Sequence, residues 1–236
     1  MRSVASDPPA VWLSWSSGKD CAWALHLLRT GGAGVGRVAV TGLLTTVSAE
    51  ADRVAMHGVR RSLLRAQADA VGLPLQEVEL PWPCPNETYA ELMGAAVAGA
   101  VAQGVTGIAF GDLFLADIRA YREAQLVGSG IEPLFPLWGL DTTELAAEMV
   151  ANGLRAVTVC TDPTRLPDEF AGRPFDAEFV AALPDEVDPC GENGEFHTFV
   201  TDAPGFAAPV AVTVGDVVHR DGLCFADLLP ADDGNL

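Results

Sequence analysis

Short apolar runs alternate along most of the chain with longer stretches whose apolar positions recur at helical spacing, a pattern that predicts an α/β layer structure around a mainly parallel sheet. The first unit is a strand at Val11–Ser14, a helix over Cys21–Arg29 and the turn GGAGVG. A second strand follows at Val38–Val47. Val59, Leu63, Ala66 and Ala70 then mark a helix over about Ala55–Val71, which Gly72 stops. After a strand at Leu75–Leu80, the loop PWPCPNE leads to a helix near Thr88–Gln103 and a strand at Val105–Phe110 ending in Gly111-Asp112. A helix at Ala116–Val127 and a strand at Ile131–Leu137 complete the pattern.

Beyond Trp138 the texture changes. A helix at Thr142–Asn152 and a strand at Ala156–Thr161 precede loops rich in Pro, Gly and Asp, and two alternating strands flank Arg220-Asp221-Gly222 as a hairpin. These shifts predict a doubly wound parallel sheet over residues 10–138 and a smaller α+β part over 139–236 that forms a substrate cleft against it. For 236 residues, one large domain or two modest ones are both natural.

The net charge of −18, from 32 acidic and 14 basic residues, argues against a long nucleic-acid footprint but leaves room for a small anion. The N-terminus lacks the apolar region of a signal peptide, and no run approaches the roughly 18 apolar residues of a membrane span, so a soluble, cytoplasmic protein is expected. Five cysteines, none in a C-x-x-C pair, suggest neither a disulfide framework nor a zinc site.

Lys19 is the only lysine; the other thirteen basic residues are arginine. It lies in SSGKD between the first strand and helix, where exposed backbone N–H groups and the helix dipole favour an anion. Ser14, Ser16, Ser17 and Gly18 are small enough to admit phosphate oxygens, Lys19 adds a mobile charge, and Asp20 and Cys21 occupy the first helical turn. The Walker pattern is absent, because position 13 is Leu and Asp follows Lys. GGAGVG is a plain turn, since it follows a helix.

The run WSSGKDCAWALHLL resembles the S-G-G-K-D-S loop of the N-type ATP pyrophosphatases, with Ser17 in place of the first Gly and Cys21 in place of the final Ser. FGDLFLADIRAYREAQL, GIEPLFPLWG and CGENGEFHTFV resemble the diphthine–ammonia ligase family over most of residues 11–200. That resemblance implies an adenine nucleotide alpha hydrolase-like fold and ATP with Mg²⁺. It also implies a carboxylate, carried in the family by elongation factor 2, which is adenylylated and then amidated by ammonia. A homodimer is left open, and neither nucleic acid nor membrane is an expected partner.

Right-handed crossovers should set the first and fourth parallel strands side by side, so that SSGKD faces Gly111-Asp112. Asp112 is then a candidate for nucleotide or Mg²⁺, or else a turn and helix cap. Arg119 and Arg122 share a helix face suited to phosphate or a carboxylate, although Arg119 equally fits a pair with Glu123. His57 and Arg60 show the same spacing; the resemblance places His57 near the nucleotide, against an ordinary exposed face. In GENGEFHT, Glu192 and Asn193 are candidate substrate contacts. Glu195 and His197 alternate by two and would face one side of an extended segment, where either could take a proton from ammonium. A simple turn at Asn193-Gly194 is the alternative.

Two rival functions remain: sulfur transfer through Cys84 and Cys190, and a nucleotide-binding sensor without ligation.

Overall fold

The computed structural model describes residues 7–32, 34 and 36–231. β1 (Ala10–Ser14) lies at the centre of the first sheet, parallel to β2 (Ala39–Ser48) on one side and β5 (Gly107–Ala109) on the other. β4 (Leu75–Leu80) extends the sheet beyond β2, and β6 (Glu132–Leu134) extends it beyond β5, all in parallel. Strand order therefore reverses between β1 and β5, as expected from the crossovers. In such sheets a ligand cleft opens at the carboxyl ends of the strands beside that reversal.

The period-two pattern of β1 explains how helices cover both faces. Val11, Leu13 and Trp15 enter one apolar core with the buried face of α1 (Lys19–Thr30) and α2 (Arg61–Val71). Trp12 enters the opposite core, with Val97 and Ala100 of α3 (Asn86–Ala102) and Leu126 of α4 (Ala116–Leu126). α1 is buried almost all round, which is why Trp23, Ala24, Leu25 and Leu28 read as a continuous apolar run.

The helix expected from Ala55 begins instead at Arg61. Residues Arg53–Val54 form β3, antiparallel to the end of β2, and Met56 and Gly58 have φ of 65° and 68°. Two left-handed residues so close together cannot sit in a right-handed helix. The apolar phase continues because Val59 is buried in the turn ahead of it.

α5 (Thr142–Ala151), capped by Asp141, leads to the second sheet. There β7 (Arg155–Thr161), β8 (Phe196–Asp202), β9 (Val212–Arg220) and β10 (Leu223–Pro230) are antiparallel in the order β8-β7-β10-β9. The β9–β10 hairpin turns on Asp221 and Gly222, both at positive φ, the geometry that a two-residue loop needs. A short helix, α6 (Ala177–Ala181), packs its Phe179 on Phe196. The larger core includes residues of both sheets, from Leu13 to Phe199. Among the described residues, no helix is long and apolar enough to cross a membrane.

Candidate active site

The loop between β1 and α1 is held by buried hydrogen bonds. Gln67 of α2, fully buried, accepts from the Trp15 indole N–H at 3.0 Å and donates to the carbonyls of Ser17 and Val200. Val200 N–H also donates to the Ser17 carbonyl at 2.9 Å, which ties β8 to the loop. A polar residue at an apolar phase of α2, between Leu63 and Val71, was the sequence signal for this clamp; it was not singled out. Ser17 has φ of 69°, a left-handed conformation that glycine adopts freely and serine does not. The related loop's Gly at this position has its physical reason here.

Lys19 differs from the mobile charge expected. Its side chain is 2% exposed, and Nζ donates to both Asp20 oxygens at 2.9 Å and to the Cys190 carbonyl. The rings of Phe175 and Phe196 stand 5.7 and 5.3 Å away. Burial alone would lower the lysine pKa, but the adjoining Asp20 carboxylate reverses this and holds it above the ordinary value. The lysine is drawn inward because these partners lie behind the loop, on the side of the second sheet. Its backbone N–H is also taken, by Thr198 Oγ1 at 3.1 Å. Asp20 and Cys21 remain in the first turn, where the N–H groups have no acceptor within the helix. The Cys21 thiol points back to the Gly18 carbonyl at 3.0 Å and is pushed up to about 11 by burial.

Gly111 brings the loop after β5 against this turn. A Cβ on Gly111 would stand 3.1 Å from the Cys21 nitrogen. The neighbouring Asp112 accepts two bonds from Arg122, at 2.7 and 3.3 Å, and Arg122 lies over the Phe110 ring. Arg119 does not join it. Its guanidinium pairs with Glu123 at 2.8 Å and stacks on Phe135 and Trp138, so the shared helix face does not become a shared ligand site.

Glu192 Oε1 accepts from Leu113 N–H at 2.7 Å and Phe114 N–H at 3.4 Å. Burial, helped by the charges of Asp20 and Asp112, pushes its carboxyl up to about 7. Among the described residues, Glu195 and His197 make no hydrogen bond to each other. Glu195 is fully buried and accepts from Asp188 N–H, Asn193 Nδ2 and Arg165, which knots the loop that precedes β8. Gly191 and Gly194, at φ of 68° and 85°, bend this loop, so the extended alternation begins only at Phe196. Asn193 thus serves Glu195 in this arrangement.

His197 lines a cavity of about 1250 Å³ at the carboxyl ends of β1, β2 and β4. Ser14, Ser16, His57 and Arg122 are among its polar lining residues, and Tyr89, Met93, Val97 and Phe110 among its aromatic and apolar ones. His57 and His197 stack with ring centroids 4.5 Å apart. Burial holds His57 well below 6.5 and His197 near 4, so both are neutral at physiological pH. His57 Nδ1 is buried with no hydrogen-bond partner among the described residues, which costs about 1–3 kcal/mol unless a ligand meets it. Arg60, by contrast, is engaged by Asp227.

Cys84 lines the cavity, whereas Cys190 is 1% exposed, with its thiol directed to the Thr142 carbonyl. The two do not form a dithiol.

The parallel sheet, its strand reversal and the loop at that point define an α/β protein consistent with the adenine nucleotide alpha hydrolase-like class. Residues 141–224 match the diphthamide synthase C-terminal domain model. Diphthine–ammonia ligases of Bos taurus and Danio rerio are each 30% identical to the chain, over 128 and 125 residues, or 52% and 50% of it. That of Schizosaccharomyces pombe is 31% identical over 102 residues, 41% of this chain and 17% of the yeast protein. The chain spans about half the length of the cattle and zebrafish relatives, 48% in each. The chain is thus similar to diphthine–ammonia ligases over about half of its length.

Proposed function

We propose that the chain is an ATP-dependent amide-forming ligase of the diphthine–ammonia ligase type. A carboxylate oxygen attacks the α-phosphorus of ATP as the bond to pyrophosphate breaks. Ammonia then forms a C–N bond to the acyl carbon, AMP leaves with the electrons of the C–O bond, and the nitrogen releases one proton. Supporting this reading most directly is the contact of the Ser16–Cys21 loop with Gly111-Asp112 at the strand reversal, next to a cavity with room for a nucleotide.

The first-turn N–H groups of α1 and the small residues Ser16 and Gly18 are suited to bind phosphate. Lys19 acts from behind the loop, contributing fixed positive charge and holding Asp20. Arg122, on the cavity wall, is suited to a substrate carboxylate if it exchanges partners with Asp112. Asp112 and Asp20 fit Mg²⁺ by donor type: both are carboxylates whose combined charge already raises Glu192, and a cation would relieve that repulsion. When bound, the metal would neutralise charge on the departing pyrophosphate. Glu192, its carboxyl pushed up to about 7 by burial, is suited to accept a proton near neutral pH.

The test is incubation with ATP, Mg²⁺, ammonium and a series of carboxylates, beginning with diphthine on an elongation factor 2-like protein. A ligase forms AMP and pyrophosphate in equal amounts with the amide. Formation of neither, despite tight nucleotide binding, would overturn the reading in favour of a sensor.

A further inference from the structure

The second sheet gathers three kinds of metal-binding side chain on the face turned away from the cavity. His219 of β9 stands directly opposite Cys224 of β10, and Cys224 stands opposite Thr161 of β7. Residues paired across antiparallel strands project to the same face, so the three form one row. Leu223 and Phe225, on either side of Cys224 in the strand, line the cavity, which puts this row on the other face. Asp168, in the single 3-10 turn Asp168–Phe170, reaches over the row, with its Oδ2 3.0 Å from His219 Nε2. One ligand atom each of Asp168, His219 and Cys224 lies within 4.8 Å of the other two.

An exposed Asp–His pair alone is an ordinary surface contact. Here its neighbour is a thiol that is 0% exposed, and the Thr161 hydroxyl opposite that thiol is buried with no hydrogen-bond partner among the described residues. A bound cation accounts for both. It takes the sulfur as thiolate, whose proton passes to solvent, and the thiolate accepts the Thr161 hydroxyl.

The donor set selects the ion. Sulfur, imidazole nitrogen and carboxylate oxygen together suit Zn²⁺, whereas Mg²⁺ and Ca²⁺ take oxygen ligands. Two tetrahedral ligands that lie about 2.0–2.1 Å from zinc stand about 3.3 Å apart, close to the Asp168–His219 separation of 3.0 Å. Asp168 and His219 are 55% and 58% exposed, so their side chains can turn towards the buried sulfur to close the remaining distance.

We propose that Asp168, His219 and Cys224 bind one Zn²⁺, with water in the fourth position, and that the ion fastens the turn at Asp168 to the β9–β10 hairpin. The site is independent of the ligase reading. No cysteine lies in a C-x-x-C pair, and ligands at 168, 219 and 224 meet only through strand register, so their spacing along the chain carries no zinc motif.

The test is titration of the whole chain with Co²⁺, a spectroscopic stand-in for Zn²⁺. Binding should saturate at one ion per chain and produce a near-ultraviolet sulfur-to-cobalt charge-transfer band that Zn²⁺ then removes. Cys224→Ser should abolish the band, whereas Cys84→Ser should leave it unchanged. His219→Ala, at an exposed position outside the core, should weaken binding by about a hundredfold, the upper end of what outer-shell partners of a metal contribute. Zn²⁺ at a hundredfold excess over its Kd should raise the wild-type Tm by about 5–10 °C, and that of His219→Ala far less at the same concentration. No charge-transfer band, a band that survives Cys224→Ser, or equal binding by wild type and His219→Ala overturns the proposal.

Discussion

The two ends of the candidate site are built on opposite principles. Around Lys19, charged and polar groups are matched within the chain: the ammonium with Asp20 and the Cys190 carbonyl, the loop carbonyls with Gln67 and Val200, and the Lys19 N–H with Thr198. Around His57 and His197 the rings are buried and neutral, and one nitrogen lacks a partner among the described residues. The first end gains stability from its polar groups. The second keeps a polar atom at an energetic disadvantage, which a ligand can remove. Both ends rest on β8, so the contrast reflects what each group faces and not which segment carries it.

The strongest challenge to this contrast is Lys19→Met. If the lysine mainly holds the fold, the variant loses about 3–5 kcal/mol in denaturant unfolding, because Asp20 is left without its partner. A large fall in turnover with unchanged stability would instead make Lys19 a direct phosphate ligand. Gln67→Leu preserves volume but leaves the Trp15 N–H and the Ser17 and Val200 carbonyls with one partner fewer. A loss of about 2–4 kcal/mol is expected from unfolding curves.

The pH dependence separates the two ends. Glu192 has a folded pKa near 7, above the ordinary 4.5, so the folded protein binds the extra proton and this group's contribution falls as pH rises from 4.5 to 7. Glu192→Gln should therefore gain stability relative to wild type between pH 5 and 8. His197 has a folded pKa near 4, below 6.5, so its contribution is present above 6.5 and is lost as pH falls towards 4. His197→Gln should gain relative to wild type in that acid window. Thermal unfolding across pH 4–8 measures both, and parallel curves for all three proteins would remove the distinction. The smallest expected effect is Ser17→Gly, which relieves a left-handed serine and should stabilise by about 1 kcal/mol, read from the denaturant midpoint.

The sheet was legible because strands buried on both faces leave continuous apolar runs, and crossover handedness left few orders to consider. The adjacency of β1 and β5 follows from those rules and is what the structure has. The start of α2 was not legible, since Val59 keeps the helical phase while Met56 and Gly58 break the backbone. The site divided in the same way. SSGKD and Gly111-Asp112 carry local signals of small residues at strand ends, and these loops do meet. Arg119 and Glu195 were chosen by spacing and Asn193 by its place in GENGEFHT, and neither says which partners a side chain will find.

By itself the sequence determined the order and type of most elements, the strand reversal and the loop at the head of α1, because these follow from local periodicity and chain connectivity. The tertiary structure alone decided that Lys19 turns inward, that Gln67 clamps the loop and that His57 meets His197. Those outcomes depend on segments more than a hundred residues apart in all three cases: Lys19 with Cys190, Gln67 with Val200 and His57 with His197. Burial and pairing at that range are settled only when the second sheet closes on the first.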